Sequence, residues 1–217
     1  MCGAYSLDKE FDRLIKRFNA TSSVTYPRRY NIRPTQTVPV ILNTDPHHLE
    51  LASWGITPFW DKTGKKIIIN ARKDSLEKPT FKKSFYERRC LVLADSFYEW
   101  MTVPGQSIKR PFRFLLKSEQ PFAFAGIWKE QDSEEGKEPH CAIITTEPNG
   151  IVGKVHDRMP AILRPEAEAE WLDFDTSPEQ ALELLRPYPD SEMKAYEVST
   201  MVNSPTNDVR EAISPVA

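Results

Sequence analysis

The most constraining feature of this sequence is a succession of short apolar runs that do not alternate regularly with helical segments. Runs of strand length cover residues 38–42, 49–54, 67–69, 90–94, 97–100, 112–116, 122–128 and 140–145. Amphipathic or capped stretches predict short helices over residues 7–18, 79–89, 165–171 and 178–185. Strands mixed with short helices, without repeated βαβ units, indicate an α+β chain with mainly antiparallel sheet.

Local signals place the ends of several of these elements. Asp8 is the predicted N-cap of the first helix, and Asp45-Pro46 predicts a hairpin turn between the first two strands. Ser177 and Gln180 form a capping-box pattern at the start of the last helix. Polar residues predict a loop over residues 19–29 that continues through 30–32, and a turn over residues 130–138. Signals after residue 198 are weak and fit a strand or a loop.

Length and composition predict one globular domain over residues 1–217, because 40% of the 217 residues are hydrophobic and no Pro/Gly linker or internal repeat appears. There is no apolar run of about 18 residues and no apolar stretch at the N-terminus, so we expect neither a membrane span nor a signal peptide. The odd number of cysteines (Cys2, Cys90 and Cys141) favours a reducing, cytoplasmic location. No metal-ligand spacing is present, and we expect no metal.

The net charge of −2 conceals an uneven distribution of charge along the chain. Residues 1–113 contain 20 Lys/Arg and 11 Asp/Glu, a net +9, whereas residues 114–217 contain 9 and 20, a net −11. A basic half can provide a phosphate-binding face even in a nearly neutral chain. It can equally be solvated surface charge, and the composition leaves both interpretations open.

Cys2 follows the initiator methionine, and a small residue at this position allows Met1 to be removed. An N-terminal cysteine carries an amine and a thiol on adjacent carbons, which can capture an aldehyde first as a Schiff base and then as a thiazolidine ring. The α-amine has a pKa near ~7.8 and lysine near ~10.4, so at neutral pH roughly one terminal amine in seven is uncharged, against fewer than about one lysine in a thousand. The alternative is that Cys2 is merely a small apolar residue at the start of the chain.

Three polar residues follow or interrupt apolar segments and are candidates for chemistry. Glu99 is either a partly buried acid–base group or the solvent-facing residue of an alternating strand. Asn70 is either a turn former or a positioned amide. His156 is either an ordinary surface residue or a proton-transfer group tuned by Asp157. Nucleophile-elbow and P-loop motifs are absent from the sequence, which excludes those chemistries.

The combination of motifs resembles the SRAP family, the abasic-site processing proteins. Six motifs appear in order between residue 2 and about residue 203: Met1-Cys2-Gly3, Tyr30-Asn31 with Pro34, Trp54-Gly55 with Pro58 and Trp60, Asn70-Ala71-Arg72, Ala94-Asp95 with Phe97-Tyr98-Glu99-Trp100, and His156-Asp157-Arg158-Met159-Pro160. Each motif is weak alone, but six in the right order are highly specific. The resemblance implies a single SRAP-like domain with barrel-like, mainly antiparallel sheets and short flanking helices.

The resemblance also implies an activity, which is covalent crosslinking to an abasic deoxyribose in single-stranded DNA during the DNA damage response. Carried over to this chain, Cys2 is the nucleophile that forms the thiazolidine after Met1 is removed. Glu99 shuttles protons, and His156 promotes opening of the sugar ring and reversal of the crosslink. Asn70 holds the terminal amine or the sugar by hydrogen bonding. Family members are also credited with peptidase-like release of Met1 and with strand-cleaving lyase activity.

Further positions match DNA-binding residues of the family. The resemblance implies phosphate contacts for Arg72 and Arg158, polar positions lining the site for Asn31 and Thr145, and an aromatic wedge formed by Phe59 and Trp60. It implies no cofactor. We expect a monomer whose partner is single-stranded DNA containing an abasic site, and which is associated with the nucleoid when bound.

This chain departs from the family pattern at Ala4, where many relatives have an arginine. The departure removes an expected phosphate contact, for which Arg28, Arg29 or Lys73 are candidate replacements.

Two other functions remain open from the sequence. One is a non-covalent reader of single-stranded nucleic acid that uses the basic half of the chain. The other is an N-terminal-nucleophile hydrolase or peptidase with Cys2 as the attacking thiol.

Overall fold

The computed structural model describes residues 2–105, 107–133 and 136–216, which form two β-sheets flanked by short helices. The strands are β1 (Tyr5–Leu7), β2 (Thr21–Ser22), β3 (Arg29–Ile32), β4 (Thr37–Leu42), β5 (His48–Trp54), β6 (Asn70–Arg72), β7 (Arg89–Ala94), β8 (Ser96–Met101), β9 (Arg110–Leu116), β10 (Phe122–Ser133), β11 (Gly136–Thr146), β12 (Met159–Pro160) and β13 (Met193–Glu197). The α-helices are α1 (Phe11–Phe18), α2 (Lys82–Glu87), α3 (Glu168–Leu172) and α4 (Pro178–Leu184). Single 3₁₀ turns cover Lys73–Ser75, Val152–Lys154, Pro165–Ala167, Asp190–Glu192, Thr200–Asn203 and Arg210–Ile213.

The predicted α+β class, mainly antiparallel and barrel-like with short helices, is confirmed. Strands β11, β10, β7, β4 and β5 follow one another in the larger sheet. Strand β11 also pairs with β5 in parallel, with His140 opposite Ser53, and this pairing closes the five strands into a barrel. Closure leaves no free edge among these strands. Over the described residues, no helix is both long and apolar enough to span a membrane.

The second sheet has the order β13-β9-β8-β1-β3 and packs its apolar side chains against the barrel. Tyr5 of β1 contacts Trp54 and Phe124 of the barrel edge-on, with ring centroids 5.2 and 5.6 Å apart. Strands β1 and β8 are antiparallel with Tyr5 opposite Phe97, and Tyr98 N–H donates to the Ala4 carbonyl at 3.0 Å. The pairing therefore continues beyond β1 and brings the residues before Ala4 alongside the second half of β8.

The buried carboxylate of Asp95 ties β1 to the rest of this sheet. It accepts hydrogen bonds from Ser6 Oγ at 2.6 Å and from the backbone N–H of Asp8 at 2.7 Å. Arg113 of β9 approaches it to 3.5 Å and Lys9 to 3.8 Å. Because donors from the middle of β1, from the residues that follow it and from β9 converge on one side chain, Asp95 fixes the position of β1 relative to β8 and β9.

Most of the strand predictions are confirmed by the structure. The β4–β5 hairpin, the successive strands β7 and β8, and strands β9, β10 and β11 all contain the predicted apolar runs. The capping box of α4 is also confirmed, since Gln180 N donates to Ser177 Oγ and Ser177 N donates to Gln180 Oε1. The predictions for these segments are confirmed because the apolar and polar residues in their sequences match the buried and exposed positions in the structure.

Three of the local predictions near the N-terminus are wrong. The helix begins at Phe11 rather than residue 7, because Leu7 belongs to β1 and pairs with Arg29. Asp8 is not its N-cap; its backbone N–H donates to Asp95 instead, and Glu10 precedes the helix without a side-chain cap. The loop predicted through residues 30–32 is strand β3, which Asp208 also holds by accepting from the backbone N–H of Tyr30.

The turn predicted over residues 130–138 is also wrong in extent. Strand β10 continues to Ser133 and β11 begins at Gly136, so most of this polar segment is a two-stranded ribbon. Residues 134 and 135 lie outside the described residues. Backbone pairing decides the structure here, because a ribbon exposed on both faces has no apolar alternation to reveal it.

Other element boundaries differ from the sequence prediction. The strand predicted at residues 67–69 is Asn70–Arg72, where the backbone pairs with β11. The helix predicted over residues 79–89 is shortened to Lys82–Glu87, and the one over residues 165–171 divides into a 3₁₀ turn and α3. Arg89 leaves the helix because its backbone pairs with Ile127 of β10.

We predict that Asp95→Asn lowers the free energy of unfolding by about 2–4 kcal/mol, because one oxygen becomes an NH₂ group that cannot accept from its buried donors. Urea unfolding at neutral pH measures the change.

Asp8→Asn is the matched control. The Asp8 side chain is 16% exposed and its carboxylate pairs at 3.4 Å with Arg28, which is 40% exposed and hydrated, so the substitution should change stability by no more than about 1 kcal/mol. Equal effects of the two substitutions would contradict the role assigned to Asp95.

Candidate active site

Cys2 lies just before β1 and is fully buried. Its carbonyl oxygen accepts a hydrogen bond from Asn70 Nδ2 at 2.8 Å, and its thiol donates to the Ala4 carbonyl at 3.7 Å. Burial raises the pKa of the Cys2 thiol well above its usual range, and the charge of nearby Glu99 raises it further. The thiol is therefore protonated at neutral pH and needs a base to act as a nucleophile. Met1 lies outside the described residues.

Asn70 reaches Cys2 from the start of β6. This strand runs parallel to β11, with Asn70 opposite Ile143 and Arg72 opposite Thr145. The Nδ2 group of Asn70 is engaged by Cys2, whereas its buried Oδ1 has no hydrogen-bond partner among the described residues. The amide holds the chain at Cys2 and keeps one acceptor available for a donor that enters the site.

Glu99 lies on β8 and is only 2% exposed. Burial raises the pKa of Glu99 from its ordinary value of 4.5 to about 7. His156 Nε2 lies 3.7 Å from Glu99 Oε2. A carboxyl group that titrates near neutrality can both donate and accept a proton, which is the requirement for general acid–base chemistry.

His156 approaches Glu99 from the segment that follows the 3₁₀ turn Val152–Lys154. Burial lowers the pKa of His156, which favours the neutral ring. Its Nδ1 accepts from the backbone N–H of Arg158 at 3.1 Å, which places the ring proton on Nε2, facing Glu99. Asp157 Oδ1 lies 2.9 Å from the same Nδ1 and favours the opposite tautomer. Because the Asp157 side chain is 87% exposed and screened by water, the backbone contact prevails.

Two arginines meet at an acidic residue beside Asn70. Arg72 makes two hydrogen bonds to Asp74, at 3.1 and 2.7 Å, and Arg158 Nη2 lies 3.9 Å from the same carboxylate. Hydrogen bonds from Arg72 lower the pKa of Asp74. Arg158 also donates to the Thr145 carbonyl at 3.4 Å. Arg158 Nε and Thr145 Oγ1 are buried and have no hydrogen-bond partner among the described residues, so this edge can accommodate an anionic ligand in exchange for Asp74.

The structure gives Asn31 a different environment from these residues. Its Nδ2 donates to the carbonyls of Val202, Ser204 and Asn207 at 3.2, 2.9 and 3.1 Å. Its Oδ1 accepts from Arg33 Nε at 2.8 Å, and the whole residue is buried. Asn31 thus anchors the C-terminal segment, and its contact with a ligand stays a prediction.

Phe59 and Trp60, the aromatic pair, lie in the connection between β5 and β6. They are 60% and 48% exposed. Lys66 Nζ lies 4.7 Å from the centroid of the Trp60 ring, and Trp60 Nε1 donates to Thr80 Oγ1 at 3.4 Å. Exposed aromatic rings next to cations provide a stacking surface for planar groups.

Ala4 and its candidate replacements are all engaged within the protein. Ala4 is buried in a small apolar cluster with Tyr98, Val198 and Val202. The three cations have partners of their own: Arg28 pairs with Asp8 and Glu10, Arg29 with Asp208, and Lys73 with the Leu185 carbonyl. Replacement of the missing arginine by one of them stays a prediction.

Sequence reasoning missed Asp74 and the C-terminal segment. Asp74 holds both site arginines, and its only local signal is its position two residues after Arg72. Asp208 accepts from the backbone N–H groups of Tyr30 and Asn31, and no local pattern marks this long-range contact.

The chain is similar in sequence and in fold to several known proteins. The model of the family described as SOS response associated peptidase (SRAP) matches residues 1–205. The abasic site processing protein YoqW of Bacillus subtilis is 42% identical, over 98% of this chain and 99% of its own. The abasic site processing protein HMCES of Gallus gallus is 32% identical, over 88% of this chain and 67% of its own. A crystal structure of a protein from Bacteroides thetaiotaomicron, 25% identical, superposes with a TM-score of 0.89 and 100% coverage of both chains.

The raised pKa of Glu99 predicts a pH-dependent stability. Between about pH 4.5 and pH 7 the folded state binds a proton that the unfolded state has released, so stability falls as pH rises through this window and is level above it. Glu99→Gln does not show this fall. From pH 4.5 to pH 8 the stability of the parent protein relative to Glu99→Gln should fall by on the order of 3 kcal/mol, measured by urea unfolding.

Glu87→Gln, at an exposed glutamate of α2, is the control and should follow the parent protein across the same range. A constant difference between the parent and Glu99→Gln would contradict the assignment.

Proposed function

Because this chain belongs to the SOS response associated peptidase family, we propose that it processes abasic sites in single-stranded DNA by a covalent bond from Cys2. The relatives named abasic site processing proteins support the lesion as substrate. The observation that carries the chemistry is the convergence of Cys2, held by Asn70 and close enough for the charge of Glu99 to raise its pKa, with the Glu99–His156 pair in the second half of β8. Such a crosslink would shield the lesion during the DNA damage response.

The proposed reaction joins an aminothiol to an aldehyde with release of one water. Removal of Met1 frees the α-amine of Cys2, which attacks C1′ of the ring-opened deoxyribose. The carbonyl oxygen leaves as water and gives a Schiff base. The thiol then adds to the same carbon and the C=N double bond becomes a single bond. The thiol proton passes by way of a base to the nitrogen, and the new C–S bond closes the thiazolidine.

Glu99 suits both proton transfers of this sequence. Its pKa of about 7 leaves a useful fraction protonated, which can donate to the departing hydroxyl, and a useful fraction ionised, which can accept the thiol proton. The base is needed because burial raises the pKa of the Cys2 thiol. His156 presents its Nε2 proton toward Glu99 and lies where it can assist opening of the sugar ring and reversal of the crosslink.

Asn70 orients the nucleophile rather than reacting. Its Nδ2 fixes the Cys2 carbonyl, which limits the directions the adjacent amine can adopt. Its buried Oδ1 is available to accept a hydrogen bond from the amine or from a sugar hydroxyl.

The lesion strand is proposed to bind through its backbone. Phosphates would displace Asp74 from Arg72 and Arg158, and Thr145 would contribute its unpartnered hydroxyl. The aromatic pair would stack on bases without sequence preference. A protein that recognises the sugar-phosphate backbone and the aldehyde needs no contacts that distinguish one base from another. Because phosphate contacts displace counterions, the affinity should fall as the salt concentration rises.

Several finer features remain part of this proposal. They are a single domain over residues 1–217, a monomeric state, a cytoplasmic location with nucleoid association through DNA, a DNA contact by Asn31, self-catalysed removal of Met1, and lyase activity. None of them is required for the crosslink itself.

The first test uses a single-stranded oligonucleotide with one abasic site, purified protein and a denaturing gel without borohydride. We expect a shifted band that disappears in Cys2→Ala and disappears when methoxyamine caps the aldehyde. Cys141→Ala is the control, because this buried thiol belongs to a residue inside the chain, has no free α-amine beside it and cannot form a thiazolidine, so the variant should retain the band.

Absence of the band in protein whose Met1 removal is verified by mass spectrometry would refute the covalent reaction. Native-gel binding that Cys2→Ala preserves, in the absence of any crosslink, would support the non-covalent reader instead.

A second prediction concerns the aromatic pair. Phe59→Ala combined with Trp60→Ala should weaken binding to undamaged single-stranded DNA by about 1–3 kcal/mol for each stack removed, because every base has a face that stacks. Fluorescence anisotropy measures the affinity.

Phe174→Ala removes a ring of similar exposure (58%) from the connection between α3 and α4 and should leave the affinity unchanged. Equal weakening in the two variants would show that the aromatic pair has no special role.

A further inference from the structure

A pocket of about 330 Å³ opens beside the aromatic pair and shares Phe59, but none of its other lining residues, with the aromatic pair and the reactive site described above. We call it the basic pocket; its lining residues are Phe59, Pro79, Thr80, Lys83, Ser84, Arg88 and Lys129. It joins the region before and along α2 to strand β10, whereas the reactive site is built from β1, β6, β8 and the segment around His156. Its volume is in the range of small-ligand sites.

Positive charge in this pocket is poorly compensated. Lys129 is half-buried and donates to the Thr57 carbonyl, and burial lowers the pKa of its ammonium group. Within the described part of the chain, no carboxylate lies within 4.0 Å of the side-chain nitrogen of Lys129 or Lys83. Arg88 approaches Glu130 only to 3.8 Å, and that carboxylate is half exposed. An anion that enters the pocket would recover part of the cost of partly burying Lys129 and Arg88.

The remaining lining suits a phosphate that is attached to a planar group. Thr80 and Ser84 contribute hydroxyls, and because Thr80 Oγ1 accepts from Trp60, its own proton is available for donation. Phe59 contributes an exposed aromatic ring to the same lining. Phosphate donors and a stacking surface together are the features of a nucleotide-binding groove.

We propose that the basic pocket binds one nucleotide of the DNA strand that flanks the lesion, with Lys83, Arg88 and Lys129 on its phosphate and Phe59 against its base or sugar. The inference rests on the proposed function and adds a DNA contact separate from Arg72 and Arg158. A strand is favoured over a free nucleotide because Phe59 belongs to both the aromatic pair and the pocket, and Trp60 is hydrogen-bonded to the pocket residue Thr80.

The experiment compares Lys83→Ala combined with Arg88→Ala against Arg13→Ala combined with Lys16→Ala, which removes the same charge from α1. The probe is a fluorescent, undamaged oligothymidylate of about 15 nucleotides. Its affinity is measured by anisotropy between about 50 and about 200 mM NaCl. Lys83 and Arg88 lie outside the apolar core, and matching urea midpoints would verify that both variants fold.

We expect the pocket variant to bind roughly tenfold or more weakly at the lowest salt, and its plot of log K against log salt to be shallower by about 0.7 for each phosphate that is no longer neutralised. The α1 variant should keep the parent slope. Equal slopes and affinities in the two variants would overturn the proposal, and so would a charge-reversed Lys83→Glu that binds as tightly as the parent protein.

Two further measurements separate the alternatives. Inorganic phosphate and thymidine monophosphate are tested as competitors. Competition at a submillimolar concentration would show that the pocket binds a free phosphate or nucleotide, and would overturn the proposal that it binds a DNA strand. Oligothymidylates shortened from either end should no longer distinguish the parent from the pocket variant once the strand is too short to reach the pocket.

A failure of the pocket proposal can be distinguished from a failure of the crosslinking proposal, because the oligothymidylate used to measure binding contains no aldehyde. With abasic DNA, the pocket variant should need more protein for half-maximal crosslinking. A parent protein that never crosslinks, but whose DNA affinity depends on Lys83 and Arg88, would refute the covalent reaction and support the pocket.

Discussion

The site depends on the antiparallel pairing of β1 with β8. Almost a hundred positions separate Cys2 from Glu99, so local structure does not bring them together. Cys2 lies near Glu99 because β1, which follows Cys2, lies between β3 and β8 in the smaller sheet. Asp95 stabilises this arrangement from inside the protein by accepting hydrogen bonds from Ser6 and from Asp8 N–H. A buried carboxylate is unfavourable unless its donors are complete, so the same charge that holds β1 in place also makes alternative registers costly.

Burial produces the chemistry of the site as well as its geometry. It raises the pKa of Glu99 to about 7, raises that of the Cys2 thiol and lowers that of His156. Each change disfavours the charged form of the group, and in exchange the protein gains in Glu99 a carboxyl group that transfers protons near neutrality. The solvent-facing alternative for Glu99 is therefore inconsistent with its position, because its side chain faces the interior beside His156.

Charge composition is a poor guide to the surface that binds an anion. The first half of the chain carries a net +9, yet Arg28, Arg29 and Lys73 are engaged by carboxylates or a carbonyl within the protein. A candidate binding surface is distinguished by a cation such as Lys129, which has no close carboxylate among the residues that the structure describes. It can also be marked by arginines that share one carboxylate, as Arg72 and Arg158 share Asp74.

The sequence by itself determined the α+β class, the apolar strands from β7 to β11 and the capping box of α4, because burial and capping leave local patterns. The candidate residues of the site came from the resemblance to a family carried by six motifs in order, since no local pattern marks them. Tertiary structure decided the rest. Strand β3 and the polar ribbon of β10 and β11 are set by backbone pairing, which any side chain permits. Barrel closure by β5 and β11, the engagement of Asn31 with the C-terminal segment, and the meeting of Cys2 with Asn70 and Glu99 are long-range contacts, and no local pattern encodes a partner so distant in the chain.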